Sequence, residues 1–424
     1  MKTTLAILLV LSAVPVFTQE AILIRNGTIV PVVGAPIPGG DLLIEKGKIS
    51  AIGTGLAAPA GAMVLDASGQ YVYPGMVAPL TALGLVNPPG SDSDINEKGL
   101  SVPQIDPYDA LNPEDDSIEV ARIDGVTTAL TAAGTGSLIN GKAVVIHLDG
   151  NLAAEMILKR NVLLVFNTTA RQANSYPSTL PGVLQFLREK LSKAREYGAK
   201  REGGKNHERD AEMEALQPVL NREKPVLFQC GDEVSIRLAL TLINEFSVRG
   251  IIATASADVV KFAALLAQKG IPLIWSGTTA IPRRWEAVDL NYHVAAVLAE
   301  KGVRFCFNES RGQGSRGVRR LPVPAAISVA YGLGEEEALR ALTIRPAEIL
   351  GIDHLVGSLE KGKIADVVVC SKPLLQLSAK IRAVIIRGRL IPLSSIQTRL
   401  RDKYQAIVRE RLRRGESQGL DNRP

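Results

Sequence analysis

Imidazole and aromatic side chains are what this chain has least of. Four histidines (His147, His207, His293 and His354) occur in 424 residues, each in a separate segment, so a catalytic centre built on several imidazoles has few candidates. Aromatic residues make up 4% of the chain, too few for a platform on which single-stranded nucleic acid could stack, and no nucleic-acid partner is expected. The three cysteines (Cys230, Cys306, Cys370) cannot all pair. They stand singly in apolar, strand-like runs without CxxC or zinc-finger spacing, and they read as buried free thiols. A G-x-S-x-G elbow is missing, and Cys230 has no evident histidine partner, so neither a serine nor a cysteine nucleophile is indicated. The apolar segment Leu5 to Pro15 is too short to span a bilayer. With the basic start Met1-Lys2 and a plausible cut near Thr18 or Gln19, it reads as a secretory signal over residues 1–19. No cysteine stands at the cut to carry a lipid. A soluble, secreted or periplasmic protein without a membrane span is therefore expected.

What is present is a large apolar fraction, 46%, in a chain long enough for one α/β barrel and a second small domain. The net charge of +6 is concentrated in the C-terminal tail. Residues 20–73 alternate short strands with Gly and Pro turns, including an expected hairpin turn at Asn26-Gly27 and a second hairpin over Asp41 to Gly53. From Pro74 the texture changes to strand–helix alternation. Pro225 to Cys230, Gly250 to Thr254, Ile271 to Trp275 and Val303 to Phe307 are apolar runs, each followed or preceded by a helical pattern. Strands apolar on both faces and interleaved with helices mean a parallel sheet. Residues 188–224 are charged and read as a solvated helical insertion. Residues 335–351 read as two short helices split at Pro346. A basic amphipathic helix is expected in the tail, residues 395–424, packed on its own domain or on a partner subunit rather than on a membrane. Asn26-Gly27-Thr28, Asn167-Thr168-Thr169 and Asn308-Glu309-Ser310 match the glycosylation triplet, a pattern short enough to arise by chance.

Two phrases carry a family resemblance. Tyr71-Val72-Tyr73-Pro74-Gly75-Met76-Val77-Ala78-Pro79 resembles the entry into the barrel of the amidohydrolase superfamily, its imidazolonepropionase-like branch in particular. Val356-Gly357-Ser358-Leu359-Glu360-Lys361-Gly362-Lys363-Ile364-Ala365-Asp366 resembles the phrase with which such chains leave the barrel. The resemblance covers residues 21 to 392. It implies a TIM-like (β/α)8 barrel over residues 74–356 and a small β-sandwich domain built from both chain ends, residues 20–73 and 357–394. The activity it implies is hydrolysis of carbon–nitrogen bonds in non-peptide or cyclic amides.

The family holds one or two divalent metals with a His-x-His pair on the first barrel strand, two later histidines and a terminal acid. Carried onto this chain, the pair falls on Leu80 and Ala82, the later histidines on Gln229 and Thr254, and the acid on Glu309. A bound metal lowers the pKa of water from about 15.7 to about 7, on the order of 12 kcal/mol in hydroxide availability. One carboxylate without imidazoles is a poor zinc or iron site, so no metal and no cofactor is expected. Glu309 is the catalytic candidate, as general acid or base, or else a relic neutralised by Arg311. Gln229, Thr254, Asn308 and Arg311 are the candidate substrate-binding residues. Gly312-Gln313-Gly314-Ser315-Arg316-Gly317 matches G-x-G-x-x-G, but Pro322 and Pro324 follow where a helix should open. It reads as a flexible loop, or as an anion site formed with Arg311, Arg316, Arg319 and Arg320. Two readings of function follow: a pseudoenzyme that binds a small-molecule ligand or assembles with itself or an active relative, or a working C–N hydrolase using Glu309, Asp232 or Glu233 and a metal supplied in an unrecognised way.

Overall fold

The computed structural model describes residues 21–86, 94–134, 136–169, 175–203, 208–283, 285–309 and 317–413. The signal segment, His207, Arg311 and most of the glycine-rich loop lie outside the described residues.

The N-terminal strands are β1 (Ala21–Ile29), β2 (Ile37–Glu45), β3 (Lys48–Gly53), β4 (Met63–Asp66) and β5 (Tyr71–Pro74). Asn26-Gly27 is not the expected hairpin turn. β1 runs straight through it, and the register against β2 shifts on either side of Gly27. Asn26 takes a left-handed φ of 62°, which makes the pair a bulge. The bulge divides β1 between two partners, Ile22 to Arg25 on β4 and Thr28 to Ile29 on β5. Glycine is needed there because a Cβ on Gly27 would meet Val72 Cγ2 at 2.9 Å. Buried Asp41 closes the bulge, accepting Asn26 N at 3.0 Å and Leu56 N at 2.8 Å. The second hairpin is present, with Lys46 (φ 49°) and Gly47 (φ 76°) in the paired left-handed turn that matches strand twist.

The chain then enters the barrel through β6 (Met76–Thr81), α1 (Asp116–Ile123), β7 (Val126–Ala132), β8 (Ile139–His147), α2 (Ala153–Met156), β9 (Ile157–Lys159) and β10 (Leu164–Asn167). It continues through α3 (Leu180–Glu202), α4 (Ala211–Leu220), β11 (Val226–Cys230), α5 (Glu233–Phe246), β12 (Gly250–Thr254), α6 (Ala263–Lys269), β13 (Leu273–Trp275) and α7 (Leu290–Glu300). The last elements are β14 (Phe305–Phe307), α8 (Pro322–Ala330), α9 (Glu335–Leu342) and α10 (Ile344–Leu350). The sheet order is β6-β7-β8-β10-β11-β12-β13-β14, with β9 beside β8. α10 packs against both β14 and β6, where the barrel nearly closes.

One strand departs from a regular (β/α)8 pattern. β8 is antiparallel to both β7 and β10. The cause is the link after β7: a stretch too short for a crossover can return the chain only as an antiparallel neighbour.

Alternate residues divide the core in two. Val77, Leu130, Val145, Leu227, Ile251 and Ile274 pack together inside the barrel. Phe166, Phe228, Ile252, Leu273, Trp275 and Phe307 face the helices. Each such side chain contributes about 1.5–3 kcal/mol on burial, so the two-sided apolar strands seen in the sequence are the main stabilising term.

Three expectations need correction. The charged stretch 188–224 is not a solvated insertion: α3 buries Val183, Leu187, Leu191 and Ala194 at helical spacing, and α4 buries Met213, Leu216 and Val219. The charges occupy only the outer faces. The break between α9 and α10 falls at Thr343 (φ −129°, ψ −81°), not at Pro346, which sits in the first turn of α10 where its missing N–H costs nothing. α8 opens on Pro322, so prolines after the glycine-rich loop start a helix rather than prevent one.

After the barrel, β15 (Val367–Cys370), β16 (Ile381–Ile386) and β17 (Arg389–Ile391) join the N-terminal strands. The order is β17-β16-β15-β5-β1-β2-β3, one continuous sheet of both chain ends. α11 (Ile396–Arg413) follows and buries none of its residues. Its Arg399 reaches Glu119 on α1 at 2.9 Å, but its apolar positions Leu400, Tyr404 and Leu412 stay exposed, so of the two expected placements its apolar face does not take the one on its own domain.

Candidate functional site

The C-terminal ends of the parallel strands form the mouth of the barrel, the end at which such barrels place chemistry. Pairing sets one inner row there: Asn167, Gln229, Ala253, Ile274 and Cys306 stand side by side on β10 to β14. Gln229 shares the inner face of Leu227, and its Oε1 is buried without a hydrogen-bond partner among the described residues. Asn308 continues this row past β14 and donates Nδ2 to Ser276 Oγ at 3.3 Å. Leu80 packs with the inner cluster. Gln229 and Asn308 thus both stand at the mouth.

Thr254 is not. It pairs with Cys230 and Trp275, one residue out of phase with the inner row. Its side chain therefore lies on the helix side of the sheet, where its Oγ1 accepts Ser256 N at 3.0 Å. Period-two alternation makes this unavoidable once Ala253 faces inward.

Glu309 is 3% exposed. Thr279 Oγ1 donates to its Oε2 at 2.9 Å, and Arg320 Nη2 lies 3.4 Å from Oε1. The cation beside Glu309 is therefore Arg320, while Arg311 lies outside the described residues. Arg319 is also engaged, by Gln397 on α11. Thr279 was not a sequence candidate, and Arg320 was named only as part of an anion site; its pairing with Glu309, eleven residues earlier, is decided by the tertiary structure.

The other acid candidates and the described histidines lie elsewhere. Asp232 caps α5, accepting Ser235 N at 2.8 Å. Glu233 is on the outer surface with Arg237 and Lys261. His147 ends antiparallel β8 and therefore lies at the opposite, N-terminal end of the barrel. Its Nδ1 is 3.2 Å from Asp366 Oδ2, with both side chains buried. His293 is half exposed on α7, 3.5 Å from Asp289. His354 lies in the turn between α10 and β15. Among the described residues, no group of three or more His, Cys, Asp or Glu side chains is placed to hold a metal ion. The mouth residues themselves do not fit one: Leu80 and Ala82 have no donor, Gln229 offers a neutral amide, and Glu309 is held by a guanidinium and a hydroxyl.

Cys230 is not a nucleophile. Burial pushes its thiol up to about 12, and its neighbours are Thr168 Oγ1 and the Ser235 carbonyl. All three cysteines are free and buried, as the sequence suggested.

A cavity of about 170 Å³ adjoins the mouth between the end of β7 and the start of β8. Asp94, Asn96, Glu97, Asp106, Ser137 and Asn140 line it. Asp106 is paired with Arg160 at 3.0 Å.

The fold and the location of this mouth define a class: an α/β barrel with a companion sheet shared by both chain ends. Residues 191–391 match the amidohydrolase family. An amidohydrolase structure from Thermotoga maritima MSB8 superposes with a TM-score of 0.81 at 28% identity, covering 87% of this chain and 99% of that one. An imidazolonepropionase of Symbiobacterium thermophilum is 24% identical over 84% of this chain and 91% of its own length. The amidohydrolase tasK of Hapsidospora irregularis is 24% identical over 82% of this chain, which spans only 41% of that relative. Together these similarities mark an amidohydrolase family domain in this chain, with amidohydrolases among its relatives and structural neighbours.

Proposed function

We propose that this chain is an exported amidohydrolase-superfamily protein whose own metal site has been lost, and that it serves as a ligand-binding or partner subunit with little or no C–N bond hydrolysis. The observation that carries the reading is the side-chain chemistry at the barrel mouth. Where the family resemblance calls for imidazoles stand Leu80, Ala82, Gln229 and an outward-turned Thr254, and the remaining acid is held by Arg320 and Thr279. Without a metal, hydroxide at neutral pH is short by on the order of 12 kcal/mol, and none of the described residues at this end supplies that term. Gln229, Asn308 and the small polar cavity beside Asn140 are suited to hydrogen-bonding a polar small molecule, the role left to such a mouth. The exposed apolar positions of α11 suit assembly with a second copy or with an active relative.

The alternative is an active hydrolase of cyclic or non-peptide amides acting through Glu309, since Asp232 and Glu233 are committed to a cap and to surface ion pairs. Elemental analysis of purified protein, before and after incubation with zinc or manganese, separates the two. Substoichiometric metal and no turnover across a cyclic-amide panel are expected. Stoichiometric metal with turnover that Glu309→Gln abolishes would overturn the proposal.

A further inference from the structure

A second cavity lies away from the mouth. It opens at the opposite end of the barrel, with a volume of about 470 Å³, where the chain enters β11, β12, β13 and β14. Its rim carries Arg222, Arg249, Lys269 and Arg304.

Each of these cations is held in place by a neutral oxygen. Arg222 Nη1 donates to the Ser247 carbonyl at 3.1 Å, and Arg249 Nη1 to the Glu223 carbonyl at 3.4 Å. Lys269 Nζ donates to Asn244 Oδ1 at 2.9 Å, and Arg304 Nη2 to the Gly270 carbonyl at 3.2 Å. No carboxylate among the described residues forms an ion pair with any of the four. The one acid on the rim, Glu348, is bound by Arg345 at 2.9 Å.

Helix ends account for part of this charge. The C-termini of α4, α5, α6 and α10 converge here, with Asn221, Ser247, Gly270 and Gly351 as their caps. Each C-terminus is equivalent to about half a negative charge, so together they offset about two of the four positive charges. About two remain unmatched in a concave site, which is the arrangement that concentrates anions. The backbone is also held in uncommon conformations there. Arg222 and Ser247 are left-handed at φ 63° and 56°, and the side chain of the first binds the carbonyl of the second. The floor is aliphatic, with Ile251, Pro272 and Ile349, and no aromatic ring lines it on which a nucleobase could stack.

We infer that this basal cleft is a binding site for a compact dianion, a phosphate ester or a dicarboxylate, distinct from the mouth. The site rests on neither metal nor hydrolysis, so it stands or falls apart from the functional reading above.

Isothermal titration of the full chain with inorganic pyrophosphate and with succinate, against chloride at matched ionic strength, tests it. Saturable binding of one or both probes is expected; pyrophosphate alone would assign the phosphate class, succinate alone the dicarboxylate class. The double variant Arg249→Ala/Arg304→Ala removes two rim cations that are solvent-exposed, and it should bind at least about tenfold more weakly while keeping its circular dichroism spectrum. Absence of saturable binding for both probes, or unchanged affinity in a folded double variant, would overturn the assignment.

Discussion

Replacing Asp366 with alanine should bring this protein close to unfolding. The residue comes from the phrase Gly362-Lys363-Ile364-Ala365-Asp366, and its side chain is 4% exposed at the junction between the barrel and the shared sheet. Its Oδ2 accepts Thr128 Oγ1 of β7 at 3.1 Å and lies 3.2 Å from His147 Nδ1 of β8. Its Oδ1 accepts Arg387 N at the end of β16 at 2.9 Å. One carboxylate thus accepts hydrogen bonds from barrel strand β7 and from the companion sheet, and lies beside an imidazole of β8. Deleting it leaves a buried hydroxyl and a partly buried backbone N–H without their acceptor, and a buried imidazole without its neighbour. Leaving each such group without its partner costs about 1–3 kcal/mol, against a total stability of about 5–15 kcal/mol for a domain. Chemical denaturation followed by the fluorescence of buried Trp275 measures the loss. A cycle with His147→Leu should give a coupling of at least about 0.5 kcal/mol, since the two side chains share a contact. A loss below about 1 kcal/mol for Asp366→Ala, or additivity in the cycle, would refute the view that this carboxylate joins the two sheets.

Two further outcomes follow from burial. Burial pushes the thiols of Cys230 and Cys370 up to about 12 from an ordinary 9.0, so the folded protein holds their protons while the unfolded chain releases them. Stability should accordingly fall as pH rises from about 9 towards 12, by about 1.4 kcal/mol per pH unit for each thiol. At pH 8 a thiol reagent should leave native protein unmodified and label all three cysteines only in denaturant; rapid native labelling would contradict their packing. At Gly75, a Cβ would overlap the side chain of Thr127 on β7. Gly75→Ala should therefore destabilise by about 1–3 kcal/mol, read as a lower denaturation midpoint with an unchanged slope.

The two motif phrases were legible because each does a local mechanical job. Pro74-Gly75 ends β5 and begins β6, where the close neighbour Thr127 tolerates no side chain. The exit phrase supplies Asp366, whose role depends on being buried at the junction. The apolar runs at β11 to β14 were equally readable, since burial on both faces leaves a signal that needs no partner to interpret. Misreadings arose where tertiary context outweighed a local cue. Asn26-Gly27 has hairpin chemistry, yet β4 and β5 both demand its strand, so it becomes a bulge. The charges of residues 188–224 mark only the outer faces of α3 and α4.

For the site, the identities Leu80, Ala82 and Gln229 at strand ends could be placed from the chain alone, but orientation could not. Whether Thr254 faces inward depends on its phase against Ala253. Whether Glu309 is free depends on where Arg320 and Thr279 arrive. The basal cleft left no trace in the sequence, because Arg222, Arg249, Lys269 and Arg304 sit singly in four separate segments.

Residue order by itself determined the strand–helix alternation, the family resemblance and the residue types at the mouth, since these reside in periodicity and short motifs. Only the tertiary structure decided that β8 turns back, carrying His147 away from the mouth, and that four isolated cations share one cavity. Side-chain identity is a local property, whereas convergence and pairing depend on distances between segments far apart along the chain.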